Sequence, residues 1–447
     1  MGYRDLREFL DDLGDDLLRV NDPFEPRYEM AAFLREAQRE GRAVLFEVVP
    51  GYPGARVAGN LLASRRLLAK ALGTTEERLG ETYLRAKSNP VHPVPAEAEV
   101  PVKEVVHEHP DDLLGLLPIL THHEKDAAPY ITCGLVLARD PETGQRAMGV
   151  HRLMVQGGNR LGILLATPPM TVFLERAEAQ GRPLDIAVAL GMDPATLLAS
   201  VVKVGPTGPD KLEVAGAFRG HPLEMVEAET VALAVPARAE IVLEGRVLPG
   251  VRAPEGPFGE NTGYYFKNLS PVVEVSAVTH RRDFIYPALC PWTAEVDNLL
   301  SLAAGTELLG QLRSQVHGVV DLEMAPGTCG FSAVVSVANG SAKEVRRLIH
   351  LALALDRRLK MVTVVDDDVD IRDPREVAWA LATRYRPERD TVVLEGLGGY
   401  VIDPSSAGSD DAAKIGFDAT KGAGGDFTKV SMPDAAVAKA RKWLGRE

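Results

Sequence analysis

Residues 130–166 read YITCGLVLARDPETGQRAMGVHRLMVQGGNRLGILLA, and this stretch decides the fold of the middle of the chain. Three mostly apolar runs are separated by two turn sequences, PETGQ and QGGN. Short apolar runs joined by turns that contain glycine are typical of antiparallel strands. The stretch therefore predicts an antiparallel β domain.

More strand-like runs follow in the same region of the sequence. They are LDIAVALG (184–191), LEMVEAETVALAV (223–235), AEIVLEGRVL (239–248) and PVVEVSAVTHRRDFIYPAL (271–289). One helix-like stretch, TVFLERAEAQG (171–181), interrupts them. So many strands within one region predict a β-barrel, which we place in a domain that spans residues 116–295.

The N-terminal flank combines helical and strand patterns. Apolar residues recur with helical spacing in LREFLDDL (6–13) and YEMAAFLREAQREG (28–41), whereas AVLFEVV (43–49) is typical of a strand. A proline-rich stretch, residues 89–110, then indicates an extended linker. These patterns predict an N-terminal α/β domain over residues 1–115.

The C-terminal flank alternates between helix and strand. Residues 294–316 have the spacing of one long helix, and strand-like and helical runs alternate from FSAVVSVA (331–338) onward. Such alternation predicts an α/β layered domain with a parallel sheet, which we place at residues 296–447. The tail, residues 402–431, is rich in Gly, Ser, Asp and Lys and shows little periodicity.

Composition and charge argue against several classes of function. The formal net charge is -13, so the phosphates of a nucleic acid would be repelled. No apolar run reaches the ~18 residues that a membrane helix requires, and the first residues lack the apolar core of a signal peptide. Cys133, Cys290 and Cys329 form no CxxC pair that would indicate a zinc site or a disulfide framework. We therefore expect a cytoplasmic protein that binds neither nucleic acid nor membrane.

Two acidic residues lie five positions apart in PEGPFGE, residues 254–260. Pro257 and two glycines separate Glu255 from Glu260, so this segment cannot form a helical turn. In one reading the segment is a surface turn with two solvated carboxylates. In the other it is a site, because two acids held close together have pKa values that move apart. The local sequence leaves both readings open.

Six phrases of the sequence carry a resemblance to a known family. They are HRLMVQGGNRLGI, AGAFRGHPLEMVEAET, VPARAEIVLEG, PEGPFGENTGYY, VTVVDDDVDIRDPREVAWALATR and AAKIGFDATKG. In order and spacing they resemble the UbiD family of decarboxylases, over nearly the full length of the chain. The resemblance implies an N-terminal α/β domain, a central split β-barrel that binds the flavin, and a C-terminal α/β domain that forms oligomers.

The same resemblance implies an activity, a cofactor and partners. The expected reaction is the reversible decarboxylation of an α,β-unsaturated or (hetero)aromatic carboxylic acid, with prenylated FMN as the cofactor. A flavin prenyltransferase would supply this cofactor, and the protein would be a homodimer or a larger assembly. The sequence does not indicate which acid is the substrate, nor whether decarboxylation or carboxylation is the physiological direction.

The resemblance also assigns a catalytic trio. Arg152, Glu255 and Glu260 occupy the positions of the family's Arg, Glu and second acid. We expect Glu260 to protonate the product carbon, because burial and a second carboxylate can keep an acid protonated at neutral pH. Glu255 is expected to pair with Arg152, whose guanidinium suits a bidentate carboxylate.

Further residues are expected to hold the cofactor. Lys414 matches a family lysine that reaches the flavin, and Ser200 falls where small hydroxyls approach its phosphate. The family's usual divalent-ion ligands, Asn, His and Glu, are replaced here by Ala147, Pro169 and Lys211. We therefore predict that no divalent metal is bound and that the Lys211 ammonium supplies the missing positive charge.

Two alternatives remain open on sequence. The loss of the three metal ligands would also fit a non-catalytic, structural subunit of a carboxylase complex. A flavin-binding oxidoreductase could use the same barrel, although the sequence shows no dinucleotide fingerprint. The intact Arg152, Glu255 and Glu260 favour the decarboxylase.

Overall fold

The structure is a computed structural model, and it describes residues 2–97, 99–205, 208–406, 409, 411–422 and 427–445. The strands are β1 Leu17–Val20, β2 Ala43–Phe46, β3 Arg56–Gly59, β4 Val94–Pro95, β5 Val105–Glu108, β6 Tyr130–Arg139, β7 Arg146–Val155, β8 Arg160–Ile163, β9 Leu184–Leu190, β10 Glu224–Glu227, β11 Ala234–Pro236, β12 Ile241–Gly259, β13 Tyr265–His280, β14 Ile285–Ala288, β15 Val319–Met324, β16 Ser332–Val337, β17 Met361–Asp366, β18 Thr391–Leu394 and β19 Lys414–Ala419. The α-helices are α1 Leu6–Asp12, α2 Glu29–Ala37, α3 Arg65–Ala71, α4 Leu79–Ser88, α5 Met170–Ala179, α6 Pro194–Ser200, α7 Lys211–Arg219, α8 Ala294–Arg313, α9 Ala342–Leu355, α10 Pro374–Arg384, α11 Pro387–Asp390 and α12 Asp434–Trp443.

A closed antiparallel barrel forms the middle of the molecule, as the sequence predicts. Its strands run in the order β12-β9-β6-β7-β8-β13, and pairing of β12 with β13 closes the ring. Residues 130–166 provide the consecutive strands β6, β7 and β8. Register shifts along β12 bend this long strand, as bulges do at the rims of barrels.

The predicted extent of the barrel strands is wrong in two places. The run 223–235 forms only β10 and β11, which pair with each other and with β4 outside the barrel. The end of the run 271–289 forms β14, which pairs with β3 in the N-terminal sheet. A turn separates β13 from β14, and Asp283 adopts a left-handed φ of 51° there. The apolar pattern continues across this turn because both strands are buried.

The N-terminal sheet has the order β1-β2-β3-β14, so its last strand comes from the segment that follows the barrel strands in the sequence.

The helices α6 and α7, between β9 and β10, were not predicted from the sequence. Asp193 caps α6 by accepting from the backbone N–H of Thr196 at 3.0 Å. Asp210 caps α7 through a capping box with Glu213.

The C-terminal sheet is mixed rather than wholly parallel. Its order is β15-β16-β17-β19-β18, and both edge strands run antiparallel to their neighbours. Parallel pairs, β16 with β17 and β17 with β19, form its centre. β19 lies within the tail in which little periodicity was found. Its pattern is broken by Gly416, where a Cβ would lie 2.1 Å from the Ile349 side chain of α9.

Helix α8 connects the two halves of the molecule. Near its start, Val296 and Leu299 pack into the core that contains barrel and N-terminal residues. Near its end, Leu308 and Leu312 pack into the core of the C-terminal sheet. The first turns of α8 therefore pack with the barrel and the N-terminal domain, and its last turns pack with the C-terminal sheet. Among the described residues, no helix combines the length and the apolarity needed to cross a bilayer.

Candidate active site

The barrel brings the three predicted catalytic residues together. Arg152 lies on β7, Glu255 lies near the end of β12, and Glu260 directly follows that strand. Gly256 turns the chain between the two acids with a φ of 99°, and a Cβ there would lie 2.4 Å from the carbonyl oxygen of Phe266. Only glycine fits this close, left-handed turn, which brings both glutamates to the same guanidinium.

Arg152 bridges the two carboxylates. Its Nε donates to Glu255 Oε1 at 3.0 Å and its Nη2 donates to Glu255 Oε2 at 2.8 Å, while Nη1 donates to Glu260 Oε2. All three residues are buried. Burial alone would lower the pKa of Arg152, but its hydrogen bonds to Glu255 and the charges of both glutamates hold that pKa above its ordinary value. The guanidinium therefore stays charged.

The two acids have different surroundings. Glu255 is almost fully buried, at 1 % exposure, and it holds Arg152 through a bidentate pair. The Asn268 amide lies beside the pair, and in the orientation that satisfies both of its ends its oxygen accepts from Arg152 Nη2 at 3.0 Å. Glu260 instead lines a cavity, and the backbone N–H of Asn261 donates to its Oε1 at 3.0 Å. Glu260 is thus the acid that can meet a ligand.

Asp126 fixes the loop that carries the acids. Its carboxylate accepts from the backbone N–H groups of His122, His123 and Gly259, the last at 2.8 Å. The backbone N–H of Ala127 also donates to the carbonyl of Pro257. These bonds hold residues 257–259 against the barrel, and therefore fix the position of Glu260.

Two aromatic rings lie behind Arg152: Phe258 contacts the guanidinium, and Tyr130 packs on Phe258. The ring of Phe258 lies 4.6 Å from the Arg152 guanidinium carbon, which is a cation–π distance. Tyr130 is fully buried and packs on Phe258 with ring centroids 4.3 Å apart. Burial raises the pKa of the Tyr130 phenol, and the charge of Glu255 raises it further. The phenol therefore remains a protonated neighbour of Glu255.

A cavity of about 300 Å³ opens in front of the trio. The barrel contributes Val150, His151 and Arg152, α8 contributes Val296, Leu299 and Leu300, and the C-terminal region contributes Tyr400, Val401 and Ile402. A larger cavity, of about 590 Å³, lies elsewhere between α4, α8 and β15. It contains none of the predicted catalytic residues, and so the smaller cavity is the candidate site.

Lys211 and Ser200 lie together behind the barrel wall of this cavity. Lys211 Nζ donates to the carbonyl oxygen of Ser200 at 2.6 Å, and the next residue, Val201, lines the cavity. The Ser200 hydroxyl is buried and donates to Leu197. Burial lowers the pKa of the Lys211 ammonium to about 8. Of the two predicted phosphate contacts, the Ser200 hydroxyl is already engaged, whereas the Lys211 ammonium donates one hydrogen bond among the described residues.

His151 lines the cavity and lies near the Lys211 ammonium. Its Nδ1 lies 3.0 Å from the carbonyl oxygen of Leu164. Burial, with a smaller contribution from the Lys211 charge, lowers the pKa of His151 to about 4 despite the opposing hydrogen bond to Leu164. The ring is therefore neutral at pH 7 and donates to Leu164 as a structural hydrogen-bonding group, although it also lines the cavity.

The structure does not bring Lys414 to the site. Its Nζ donates to the carbonyl oxygens of Leu353, Asp356 and Arg357, at 3.0, 3.1 and 3.3 Å. These carbonyls lie at the C-terminal end of α9, where a lysine is favoured by the helix dipole. In this structure Lys414 closes the end of a helix, and its contact with the cofactor stays a prediction.

The positions of the family's metal ligands contain no ligand cluster. Ala147 is buried in β7 opposite Ala138, and Pro169 directly precedes α5. Over the residues that the structure describes, no group of three or more His, Cys, Asp or Glu side chains could hold a metal ion. The acidic run 366–370 forms ion pairs instead, with Arg384 to Asp366 and Asp368.

Comparison with known proteins identifies the family. Three domains described as parts of 3-octaprenyl-4-hydroxybenzoate carboxy-lyase match in succession: its N-terminal domain at residues 10–87, its Rift-related domain at 94–294 and its C-terminal domain at 297–419. The chain belongs to the UbiD family. Arg152, Glu255 and Glu260 all lie within the part of the chain that matches the Rift-related domain.

Solved UbiD-class structures resemble the chain over nearly its whole length. HmfF from Pelotomaculum thermopropionicum, in complex with FMN, is 40 % identical with a TM-score of 0.93, and 98 % of this chain and 100 % of that chain are covered. An evolved dimeric form of HmfF, in complex with prFMN, has a TM-score of 0.88 at 40 % identity over 97 % and 98 % of the two chains.

Two further UbiD-class relatives differ in what their names state. The anhydromevalonate phosphate decarboxylase of Methanothermobacter thermautotrophicus is 34 % identical over 93 % of this chain and 96 % of its own. Vanillic acid decarboxylase of Sedimentibacter hydroxybenzoicus, covering all of both chains, has a TM-score of 0.87 at 31 % identity in an open form and 0.83 at 30 % in a closed form. The present structure is therefore more similar to the open form.

Sequence reasoning missed several residues around the trio. Tyr130, Asn268 and Asp126 carry no motif of their own, and they meet the trio only because the barrel closes. The TGYY segment and the long strand after it predict that β13 runs beside β12, which would have indicated Asn268 as a neighbour of Glu255. The segment Tyr400–Ile402 had no signal, because it lies beside the tail in which little periodicity was found.

Proposed function

We propose that the chain catalyses the reversible decarboxylation of an α,β-unsaturated or (hetero)aromatic carboxylic acid with prenylated FMN. The observation that carries the proposal is a buried guanidinium that joins two carboxylates, one of which lines a cavity. The family is one of carboxy-lyases, and its solved members include complexes with FMN and with prFMN.

A flavin would pack against the side of the cavity that Val150 and Val201 line. Val150 and Val201 offer apolar surface for a ring system, and Lys211 lies behind that wall with one of its three N–H donors used by Ser200. A phosphate carries about two negative charges and must be matched when it is partly buried. Lys211 would bind this phosphate, and Arg152 would face the ring system.

Arg152 and Glu260 divide the chemistry between them. Prenylated FMN, when bound, supplies the sink for the electron pair that remains when the bond to CO₂ breaks. Glu260 takes up a proton from solvent and no longer accepts from Arg152, whose Nη1 then holds the leaving carboxylate. Glu260 then delivers its proton to the product carbon. In the carboxylation direction it removes the proton from the same carbon.

Glu255 keeps Arg152 in place throughout. Because its carboxylate is buried and accepts from both Nε and Nη2, Glu255 neutralises the guanidinium without reaching the cavity. Nη1 is left free to exchange Glu260 for a substrate carboxylate. We assign Glu255 as the positioning acid and Glu260 as the proton donor.

Replacement of Glu260 tests this assignment. Glu260→Gln keeps the size of the side chain and one acceptor, so the variant should fold and bind flavin. We expect decarboxylation to fall by roughly 10²–10⁴-fold, the usual contribution of a general acid. The rate is measured as CO₂ release by holoenzyme of equal flavin content. Near-normal turnover by the variant would refute the role of Glu260.

The two alternatives to a decarboxylase are less well supported. A structural subunit would have no use for two acids and an arginine that share a cavity, and buried ionic groups cost stability unless every partner is kept. An oxidoreductase that uses a nicotinamide cofactor would require a dinucleotide-binding site, and the sequence shows no dinucleotide fingerprint.

The proposal includes a homodimer or larger assembly. Helix α12 buries none of its residues, and Val430, Met432 and Trp443 near it are 95 %, 75 % and 85 % exposed. Such apolar surface is unusual on a monomer, and one solved relative is an evolved dimeric form. Light scattering at micromolar concentration should give at least twice the mass of 48.2 kDa, and a strictly monomeric mass would contradict the proposal.

The proposal also includes a cytoplasmic location and a flavin prenyltransferase as the source of the cofactor. The described cysteines are free thiols, which fits a reducing compartment. Expression with and without a flavin prenyltransferase should decide the second point. We expect activity only in the co-expressed preparation.

A further inference from the structure

The half of the cavity that faces the C-terminal region is apolar. Helix α8 presents Val296, Leu299 and Leu300 to it, and Val401 and Ile402 lie on the same side. If flavin occupies the barrel wall, as proposed above, the body of the substrate must lie against this second wall. The inference below about the substrate therefore rests on the proposed function.

The cavity offers one cationic contact and no more among its described lining residues. Arg152 uses Nε and Nη2 for Glu255, so only Nη1 is left for a ligand. His151 is the other basic group in the lining, and burial together with Lys211 lowers its pKa to about 4, so the ring is neutral. One nitrogen of one guanidinium can hold one carboxylate, which is the group that leaves as CO₂.

A second anionic group on the substrate would meet no partner. It would lie either among the leucine and valine side chains of the apolar wall or beside the Glu260 carboxyl. A charge that is buried without a partner is strongly disfavoured. The neutral polar groups in the lining, such as Asn261, Thr132 and Tyr400, can hydrogen-bond an uncharged substituent.

We propose that the substrate is a monocarboxylic acid with an uncharged, largely apolar body, and that acids with a second carboxylate or a phosphate are excluded. The anhydromevalonate phosphate decarboxylase, although 34 % identical, is named for a phosphorylated substrate. The two enzymes therefore differ in substrate class, and the apolar wall formed by Leu300 and its neighbours is the determinant here.

Paired acids test this selectivity. Cinnamate and 4-carboxycinnamate differ only in a second carboxylate at the far end of the ring. With holoenzyme we expect kcat/KM for the diacid to be at least roughly 100-fold lower, because a site that leaves a polar group unpaired rejects it strongly. Calorimetric binding of the same two acids gives a second readout that does not require turnover.

The outcomes separate the two proposals. Binding of the monoacid alone supports the inference even if turnover is absent, in which case only the proposed decarboxylation fails. Binding or turnover of the diacid at a level equal to or above that of cinnamate overturns the inference and leaves the proposed function standing. Binding of neither acid also overturns it.

A charge introduced on the apolar wall should change the selectivity. Leu300→Arg places a cation on the face of α8 that lines the cavity, and we expect the preference for cinnamate over 4-carboxycinnamate to fall at least 10-fold. Gln311→Arg adds the same charge to the exposed surface of the same helix and serves as the control. Equal selectivity in the two variants would show that Leu300 does not determine it.

Discussion

At the scale of single residues, the buried Lys211 ammonium lowers the stability of the folded protein, and an anionic ligand can offset this loss. Burial lowers its pKa from 10.5 to about 8, so the folded protein binds fewer protons than the unfolded chain between these pH values. Without flavin, stability is therefore reduced below about pH 8 and recovers as the pH rises toward 10.5. A bound phosphate would raise the pKa again.

Lys211→Met should separate these effects. We expect the flavin-free variant to melt at a higher temperature at pH 7, because a buried charge is removed, and to bind FMN at least 10-fold more weakly. FMN binding to the unsubstituted protein should weaken above about pH 8 as Lys211 loses its proton. Fluorescence titration measures binding, and binding that is equally tight at pH 7 and pH 9.5 would contradict the assignment.

The predicted independence of FMN binding from a divalent metal is tested on the same protein. If Lys211 replaces the ion and its ligand, FMN binding should survive EDTA and should need no Mn²⁺ or Mg²⁺. Lys211→Glu should bind FMN weakly, with little restoration by Mn²⁺, because Ala147 and Pro169 provide no ligand. A stoichiometric divalent ion found at the phosphate by elemental analysis or anomalous scattering would refute this replacement.

Glu295 gives a second prediction for a single residue. It is 2 % exposed at the start of α8, and its carboxylate accepts from the backbone N–H groups of Asn60 and Leu62. Burial raises its pKa to about 7. The folded state therefore binds more protons than the unfolded chain between about pH 4.5 and 7, and this contribution to stability is lost as pH rises through that range.

Chemical denaturation at several pH values measures this contribution. In Glu295→Gln the pH-dependent loss between pH 5 and pH 8 should be smaller than in the unsubstituted protein. The slope is the readout, because Gln also loses one acceptor and lowers stability at every pH. Parallel pH profiles for the two proteins would contradict the role of Glu295.

At the scale of elements, the sequence predicts strands and helices well where neighbours in the sequence are also neighbours in the fold. The strands β6, β7 and β8 follow one another through tight turns, and both sequence and structure place them in one antiparallel unit. β14 pairs instead with β3, more than 200 positions earlier. No local pattern encodes such a pairing. A buried strand has the same apolar pattern whether it pairs in the barrel or in the N-terminal sheet.

The strand β19 was not predicted from the sequence of the tail. Gly416 interrupts the strand-like pattern, yet the structure requires glycine there because Ile349 of α9 approaches so closely. Gly416→Val should destabilise the protein by about 1–3 kcal/mol, the usual cost of overpacking. A Cβ added to Gly310 on α8 would meet nothing within 4 Å, so Gly310→Ala should stabilise by up to about 1 kcal/mol.

Thermal and urea denaturation of both glycine variants would check this prediction. If Gly416→Val is as stable as the unsubstituted protein, β19 does not lie against Ile349.

The candidate site likewise could be predicted only where its residues belong to local sequence motifs. Arg152, Glu255 and Glu260 could be assigned because they lie within specific phrases, whereas Tyr130 and Asn268 become their neighbours only when the ring of strands closes.

At the scale of the whole molecule, the C-terminal domain contacts the catalytic loop directly. The Cys329 thiol donates to the carbonyl oxygen of Asn261, next to Glu260, at 2.8 Å. Tyr400, which lines the cavity, packs edge-on against Phe331 of the same domain. Because relatives occur in open and closed forms, we expect the two parts to approach further when substrate binds, which excludes water from the site.

Alkylation of Cys329 reports on this motion. Burial raises its pKa to about 11, so modification by iodoacetamide should be slow at pH 7 and faster at higher pH. Cys133 and Cys290 are buried and should not react. A substrate acid should slow the reaction of Cys329 severalfold by holding the contact closed. An unchanged rate, measured by mass spectrometry of the digested protein, would argue against closure at this contact.

The central claim is that Glu260, held by Arg152, moves the proton on the reacting carbon. Hydrogen–deuterium exchange of the decarboxylated product in D₂O tests it most directly, because the exchange requires no CO₂ and no net turnover. With holoenzyme, the hydrogen at the carbon that carried the carboxylate should exchange, while Glu260→Gln of equal flavin content should show at least a 100-fold slower exchange. Exchange at an unchanged rate in Glu260→Gln would contradict the account.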